Sequence, residues 1–378
     1  MPAEASRSEI CQRTAAALRA ADPSQLKAVI GFDGFVDNLM TPVDRRRSAT
    51  DFDPIRTIAA FGNRIAASAG HSSNIELVLK QQKLGGNGPI FANALATLGL
   101  KMTYVGNLGY PEVHPIFADF AKIASIHSIA NPAVTDAVEF EDGKLMLNKN
   151  QTLADVSWEN LISRIGLDLL KKAFEESALI GLANWTMVPH QSDIWRKLLA
   201  EVMPGLSTGH KRLIFVDLAD PAKRTEADIL DALGLLSQFQ KYADVHLGLN
   251  ANEGRRVAEL LGLGEFTNNR PMVAAIRQKM GIAGIVVHTR QGAAAVTADE
   301  TQVIQGPFVS RPKVTTGAGD HFNSGYCLGL SLGLGVAERI CCGVAVGGYY
   351  VSRAQSPTIQ ELADFISDLP APEIEAGK

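Results

Sequence analysis

The feature that most narrows the possible folds is an alternation running along nearly the whole chain. Short runs rich in β-forming residues recur at 28–32, 102–105, 179–182, 213–216, 245–249 and 285–287. Segments with helical periodicity lie between several of them, among them 89–98, 161–176 and 252–261. Strands alternating with helices argue for an α/β domain whose mostly parallel central sheet carries helices on both faces. At 378 residues, 46% of them hydrophobic, the chain has ample material for such a core. No internal repeat or low-complexity linker divides it.

Two stretches break the rhythm. Residues 73–83 (SNIELVLKQQK) and 137–150 (AVEFEDGKLMLNKN) alternate apolar with polar side chains and have no partner helices. The second contains Asp142-Gly143, a favoured two-residue hairpin turn. Strands of this type belong to a sheet with one wet face. They fit either a small lid, with strands near 37–42, 72–83 and 137–150, or an edge extension of the main sheet. The segment from Asn38 to Leu84 is long, and Asp53-Pro54 marks a helix start for 53–67 within it.

A formal net charge of −4 gives no electrostatic case for nucleic acid or a membrane surface. The triplet Arg45-Arg46-Arg47 is the sharpest charge cluster and reads as a solvated loop. The four cysteines, Cys11, Cys327, Cys341 and Cys342, follow no disulfide or zinc spacing and read as small buried hydrophobes in a reducing compartment. Residues 1–25 read as an N-terminal helical extension, 26–365 as the α/β domain and 366–378 as a C-terminal tail. The apolar stretch 322–351 is interrupted by Glu338 and Arg339, and its Gly and Ala content suits two closely packed buried helices. The expectation is a cytoplasmic protein without a targeting segment.

The stretch most suggestive of chemistry is VTTGAGDHFNSGY, starting at Val314. Gly317-Ala318-Gly319 precede a long helix, whose first amides are free to bind an anion in the favourable field of the helix dipole. Asp320 beside such a site would repel an anion unless it had its own task, and removing a proton from a hydroxyl is one. A capping Asp in a glycine turn is the plain alternative.

Other segments extend the pattern. Leu84-Gly85-Gly86-Asn87-Gly88-Pro89 opens a helix that ends at Leu98-Gly99, and Asn250-Ala251-Asn252-Glu253 follows a strand. An acidic first strand, a Gly-Gly turn, Asn-x-x-Glu and Gly-Ala-Gly-Asp, in that order, resemble the signatures of the ribokinase-like (PfkB-type) carbohydrate kinases. The resemblance covers roughly residues 26–365.

It implies the following. Asp320 is the catalytic base, and Gly317, Ala318 and Gly319 form the anion hole for the migrating phosphoryl group. Asp33, Asp37, Gly86 and Asn87 bind the sugar. Asn250 binds nucleotide and, with Glu253, organises magnesium through water; helix capping by Asn250 with a surface Glu253 is the structural alternative. Thr289 and Gly292, in a loose Thr-x-Gly loop, lie near the nucleotide, and His288 is a partly buried structural residue. Val314 replaces the acid with which the family helps hold a monovalent cation, so only backbone carbonyls remain for such a site. Ile90 replaces a sugar-contacting Asn, and Gly109-Tyr110-Pro111-Glu112 remodels a Gly-Asp-Asp step.

The function so implied is ATP- and Mg2+-dependent phosphorylation of a hydroxymethyl group on a sugar or sugar derivative. A nucleoside kinase of the same fold would need stacking aromatics in the lid, where only Phe140 is obvious. A catalytically silent sugar-binding regulator is the reading outside enzymology. The exposed lid edge gives a physical motive for a homodimer.

Overall fold

The computed structural model describes residues 5–209 and 212–372. Strand β1 (Lys27–Phe32) opens the main sheet; β2 (Phe35–Arg46), β3 (Phe52–Pro54) and β4 (Leu77–Gly85) leave it for a second sheet. β5 (Lys101–Gly106) and β6 (Ala124–Ser128) return to the first, and β7 (Ala133–Phe140) and β8 (Gly143–Lys149) complete the second. β9 (Leu179–Leu182), β10 (Leu213–Asp217), β11 (Asp244–Asn250) and β12 (Gly284–His288) extend the main sheet, closed by β13 (Gly292–Val296) and β14 (Thr301–Gln305).

The main sheet has the order β14-β13-β12-β11-β10-β9-β1-β5-β6 and is parallel from β12 through β6. The last two strands run antiparallel at one edge. Strand order reverses at β1, which pairs with β9 on one side and β5 on the other. Crevices that bind ligands open at the carboxyl ends of the strands beside such a reversal. One buried core includes Trp185, Trp195, Phe215's neighbour Val216 and Leu247 on one face of the sheet. The other holds Phe91, Phe215, Tyr326 and Cys341. The helices Ala318–Ser331 and Val336–Arg353 form the packed pair expected from residues 322–351. All four cysteines are buried and unpaired by disulfides.

The second sheet has the order β3-β2-β7-β8, with β4 on the other side of β2. It is a separate sheet rather than an edge extension, because β2 turns away from β1 at Asp33-Gly34 and pairs only with its own set.

Several expected boundaries differ. The helix foreseen for 53–67 is Ile58–Ala67, capped by the Thr57 hydroxyl accepting from Ala60 N at 3.1 Å. Asp53-Pro54 lies instead in β3, an edge strand where a proline can sit without breaking a ladder. The insertion thus thickens the lid: Phe61 packs on Phe140 with ring centroids 5.4 Å apart. The hairpin turn is Glu141-Asp142, since Gly143 already pairs with Phe140. Asp142 Oδ1 accepts from Ile58 N at 2.9 Å, so the turn caps the inserted helix. β4 starts later than expected and continues to Gly85, which pairs with Phe35 at the root of the lid. The span 161–176 is two helices, Trp158–Ile165 and Leu167–Glu176, broken at Gly166 with φ 82°. The helix Ile359–Ser367 runs past the expected start of the tail at 366, and residues 373–378 of that tail lie outside the described residues.

The N-terminal helix, Arg7–Ala20, is not a detached extension. Ile10, Cys11, Ala15 and Leu18 are buried in the second core, and its residues 1–4 lie outside the described residues. Among the described residues no helix is long and apolar enough to cross a membrane.

Candidate active site

The strand ends at the sheet reversal deliver acids and amides to one place. Asp33 and Asp37 follow β1, Asn184 follows β9, Asp217 ends β10, and Asn250 ends β11 opposite His288 of β12. From the other side comes the N-terminus of the helix Ala318–Ser331, with Gly317 at its cap in the left-handed region, φ 87°. Glycine is the residue that takes that conformation without strain.

Two clefts meet at this helix start. One, of about 550 Å³, is lined by Asn250, His288, Thr289, Gly292, Ala318 and Gly319, with Phe308, Val344 and Val351 on its apolar wall. The other, of about 370 Å³, lies under the lid and is lined by Asp37, Gly86, Asn87, Met146, Asn148 and Asp320. Gly317 and Glu253 also face the second cleft. Asn250, Thr289 and Gly292 thus line one cleft and Asp37, Gly86 and Asn87 the other, with the Gly-Ala-Gly-Asp turn between them and Glu253 on the sub-lid side.

Asp320 is buried, and the Asn87 Nδ2 donates to its Oδ1 at 2.9 Å. Burial raises its pKa well above the ordinary carboxylate range, the negative charges of Asp217 and Asp33 add to the rise, and Asn87 opposes it. The Gly319 amide has no acceptor among the described residues, whereas the Ala318 amide closes a turn on the Thr315 carbonyl at 3.2 Å. Ala318 is thus a correction to the expected anion hole, since its donor is already engaged. Gly319 keeps the approach open: a Cβ there would lie 3.4 Å from the His288 ring.

Asp33 is also placed differently. It is completely buried and does not face the sub-lid cleft. Its oxygens accept from Gly88 N at 2.8 Å and Asn184 Nδ2 at 2.7 Å, so it braces the Gly-Gly turn rather than contacting a ligand. Desolvation lifts its pKa to about 6. Asp37 does face the cleft; burial raises its pKa against the pull of Lys83, the Thr135 hydroxyl and Lys144. Gly86 caps the helix Asn87–Thr97 at φ 93°, which turns β4 sharply into the helix beneath the lid.

Asn250 and Glu253 form a reciprocal capping box. Asn250 Oδ1 accepts from Asn252 N and Glu253 N, and Glu253 Oε2 accepts from Asn250 N at 2.7 Å. The capping alternative describes Asn250 correctly, but Glu253 is buried, not on the surface. Its Oε1 accepts from Asp220 N at 2.8 Å, and burial with the Asp217 charge lifts its pKa to about 7. Because the Asn250 oxygen already accepts two backbone N–H groups, a metal role for that residue is corrected: its Nδ2–H groups are what it has left to offer a ligand, and they suit a phosphate oxygen. Thr289 shapes its loop, its hydroxyl donating to the Gly292 carbonyl at 3.1 Å. His288 lies tilted against Phe322, centroids 4.9 Å apart and planes at 34°, with its pKa pushed down to about 4 by burial.

Sequence reasoning missed Asp217, which accepts from Ala219 N at 2.8 Å and Asn323 Nδ2 at 2.6 Å, and whose pKa burial lifts to about 6. The signal was present: LIFVD ends a buried strand on an acid, as the first strand does. Asn184, at φ 57°, and Lys223 in the sub-lid cleft were missed as well and carry no comparable sequence signal.

Among the described residues no cluster of three or more His, Cys, Asp or Glu could hold a bare metal ion. Glu253 nonetheless offers hard oxygens to the sub-lid cleft, with the Asp217 charge near it. Partly engaged carboxylates of this type fit Mg2+, which keeps its waters and bridges to phosphates.

Comparison with known proteins agrees with this geometry. A model of the prokaryotic ketohexokinase family matches residues 9–369. The ketohexokinase of Haloferax volcanii is 32% identical over 343 residues, covering 90% of this chain and 91% of that protein. A carbohydrate kinase from Agrobacterium tumefaciens superposes with a TM-score of 0.63 at 16% identity, covering 92% of this chain and 99% of that one. The Arabidopsis thaliana ribokinase complexed with ribose and ATP gives 0.62 at 15% identity, covering 90% and 98%. An E. coli protein described as a ribokinase II, solved with ATP and Mg2+, gives 0.62 at 14% identity, covering 91% and 99%. The shared fold, the two clefts meeting at Asp320 and the match along nearly the whole chain place this protein in the prokaryotic ketohexokinase family, as a carbohydrate kinase with an alcohol group as acceptor.

Proposed function

We propose that the protein transfers the γ-phosphoryl group of ATP to a hydroxymethyl group of a ketohexose. The observation that carries this reading is the position of Asp320, a buried carboxylate at a helix N-terminus where the two clefts meet. The wider cleft accepts the nucleotide, its base against Phe308, Val344 and Val351 and its phosphates toward Asn250 Nδ2 and Gly319 N. The sugar lies under the lid, its hydroxyls donating to Asp37 and bonding with Asn148. Asn87 holds Oδ1 of Asp320 and leaves Oδ2 to take the proton of the attacking hydroxyl. Mg2+, bound through water to Glu253 and Asp217, would neutralise phosphate charge. Gly317 and Gly319 present amides to the oxygens that gain charge in the transition state. The lid shields the reacting groups from water, which limits ATP hydrolysis.

Phe140, the lid aromatic noted in the sequence, packs on Phe61 and does not line the acceptor cleft, where Phe35 at the root of the lid is the aromatic present. The H. volcanii ketohexokinase motivates the choice of a ketohexose over other sugars. The test is Mg-ATP consumption against a panel of ketohexoses, aldoses, sugar acids and nucleosides, with wild type and Asp320→Asn in parallel. Turnover with a ketohexose that falls by about 100-fold or more in the variant is expected for loss of a general base. Sugar binding without turnover in the wild type would move the regulator reading to the front.

A further inference from the structure

The mechanism leaves two stacked side chains, one buried and one half-buried, without a task, although both press on the loop that carries Gly317. His321 follows Asp320 directly and is 3% exposed. Its Nδ1 lies 2.7 Å from the Gly317 carbonyl oxygen, which only accepts, so Nδ1 carries the hydrogen. Its Nε2 lies 2.9 Å from Ser356 Oγ and in the neutral ring accepts that hydroxyl. Burial pushes the imidazole pKa down to about 4, which preserves this donor and acceptor order at neutral pH. The ring is stacked on Tyr350, centroids 3.5 Å apart and planes at 11°. Tyr350 in turn donates its hydroxyl to the Thr316 carbonyl at 3.0 Å.

Two stacked rings therefore hold two consecutive carbonyls. In a trans peptide the carbonyl and the following N–H point in opposite directions. Fixing the Thr316 oxygen thus fixes where the Gly317 amide points, while the Gly317 oxygen, which also accepts from His321 N at 3.0 Å, anchors the loop to the helix start. Gly317 has no side chain to do this for itself, and a glycine at φ 87° sits in a loop with wide conformational freedom.

We propose that His321 and Tyr350 are positioning residues, a stacked pair that holds the loop at Thr316 and Gly317 so that the Gly317 amide faces the phosphoryl group. Through Ser356 the pair also ties this loop to the turn after the helix Val336–Arg353. The inference rests on the reading of residues 317–319 as the phosphoryl site.

His321→Phe keeps a ring for the stack and removes both hydrogen bonds. His321→Asn restores an N–H near the Nδ1 position, and Tyr350→Phe deletes a single hydroxyl. Steady-state kcat and KM for sugar and ATP, with thermal melting, are measured for each. His321→Phe and Tyr350→Phe are expected to lower kcat by about tenfold, the scale of one oriented hydrogen bond in a transition state. Sugar KM and melting temperature stay near wild type, and His321→Asn recovers most of the rate. Unchanged kcat in both ring variants overturns the proposal, as does a loss that tracks melting temperature and is not rescued by Asn. If His321→Phe does not fold, the one-atom Tyr350→Phe change decides. Asp320→Asn run alongside separates the two levels: an active Asp320→Asn defeats the phosphoryl-site reading itself. An inactive Asp320→Asn beside wild-type ring variants defeats only the clamp.

Discussion

Desolvation and the nearby charge of Asp217 hold the Asp320 proton tightly, so the base ionises only above the ordinary carboxylate range. A base must be unprotonated to act, so activity should be lost as pH falls through that raised pKa. Asp217→Asn removes a negative charge that favours protonation. The acid limb of the kcat/KM profile is expected to move to lower pH in that variant, and an unmoved limb would show that Asp217 does not influence the titrating group. Asp320 was singled out in the sequence because an acid stands at a glycine turn before a helix, and Asp37 and Asn87 because they match the signature segments of a known kinase family. Asp33 was legible as an important acid but not in its role. Its place follows from Gly88 N and Asn184 Nδ2 closing on it from distant segments, and only packing brings those together.

At the scale of elements, the capping box of Asn250 and Glu253 fixes the start of the helix Ala251–Leu260 at the edge of the wider cleft. Asn250→Ala removes the cap and is expected to cost about 1 kcal/mol in urea unfolding. Asn250→Asp keeps a capping oxygen but replaces the outward N–H with negative charge. Stability near wild type with a raised KM for ATP is the expected result, and an unchanged KM would remove Asn250 from the nucleotide site. The capping box itself is readable in Asn-x-x-Glu, since it is a local exchange of hydrogen bonds. The helix break at Gly166 and the start of the inserted helix at Thr57 were misplaced in the sequence reading. Periodicity continues through the one, and Asp53-Pro54 imitates a helix start just before the other.

For the whole molecule, the N-terminal helix Arg7–Ala20 packs on the helices Val336–Arg353 and Ile359–Ser367. The first of these also carries Tyr350, so the N-terminal segment supports the element that backs the phosphoryl loop. Leu18, 1% exposed, is buried in the second core together with residues of both helices. Leu18→Ala is expected to destabilise by about 2–5 kcal/mol through the cavity it leaves. Urea denaturation measures this, and a change under about 0.5 kcal/mol, typical of surface sites, would show the helix to be an appendage.

The sequence by itself determined the α/β class, the order of the strands along the chain and the turns that carry the chemistry. These follow from hydrophobic periodicity and from local backbone rules, which act over a few residues. A small lid sheet with strands near 37–42, 72–83 and 137–150 was also expected, and tertiary structure decided how β2, β3, β4, β7 and β8 pair within it over the sub-lid cleft. It also decided that Asp217 and Asp33 raise the proton affinity of Asp320, and that His321 and Tyr350 grip the loop before it. Electrostatic fields, burial and side-chain hydrogen bonds depend on distances across the fold, and residues more than a hundred positions apart acquire those distances only when the sheet and its helices pack.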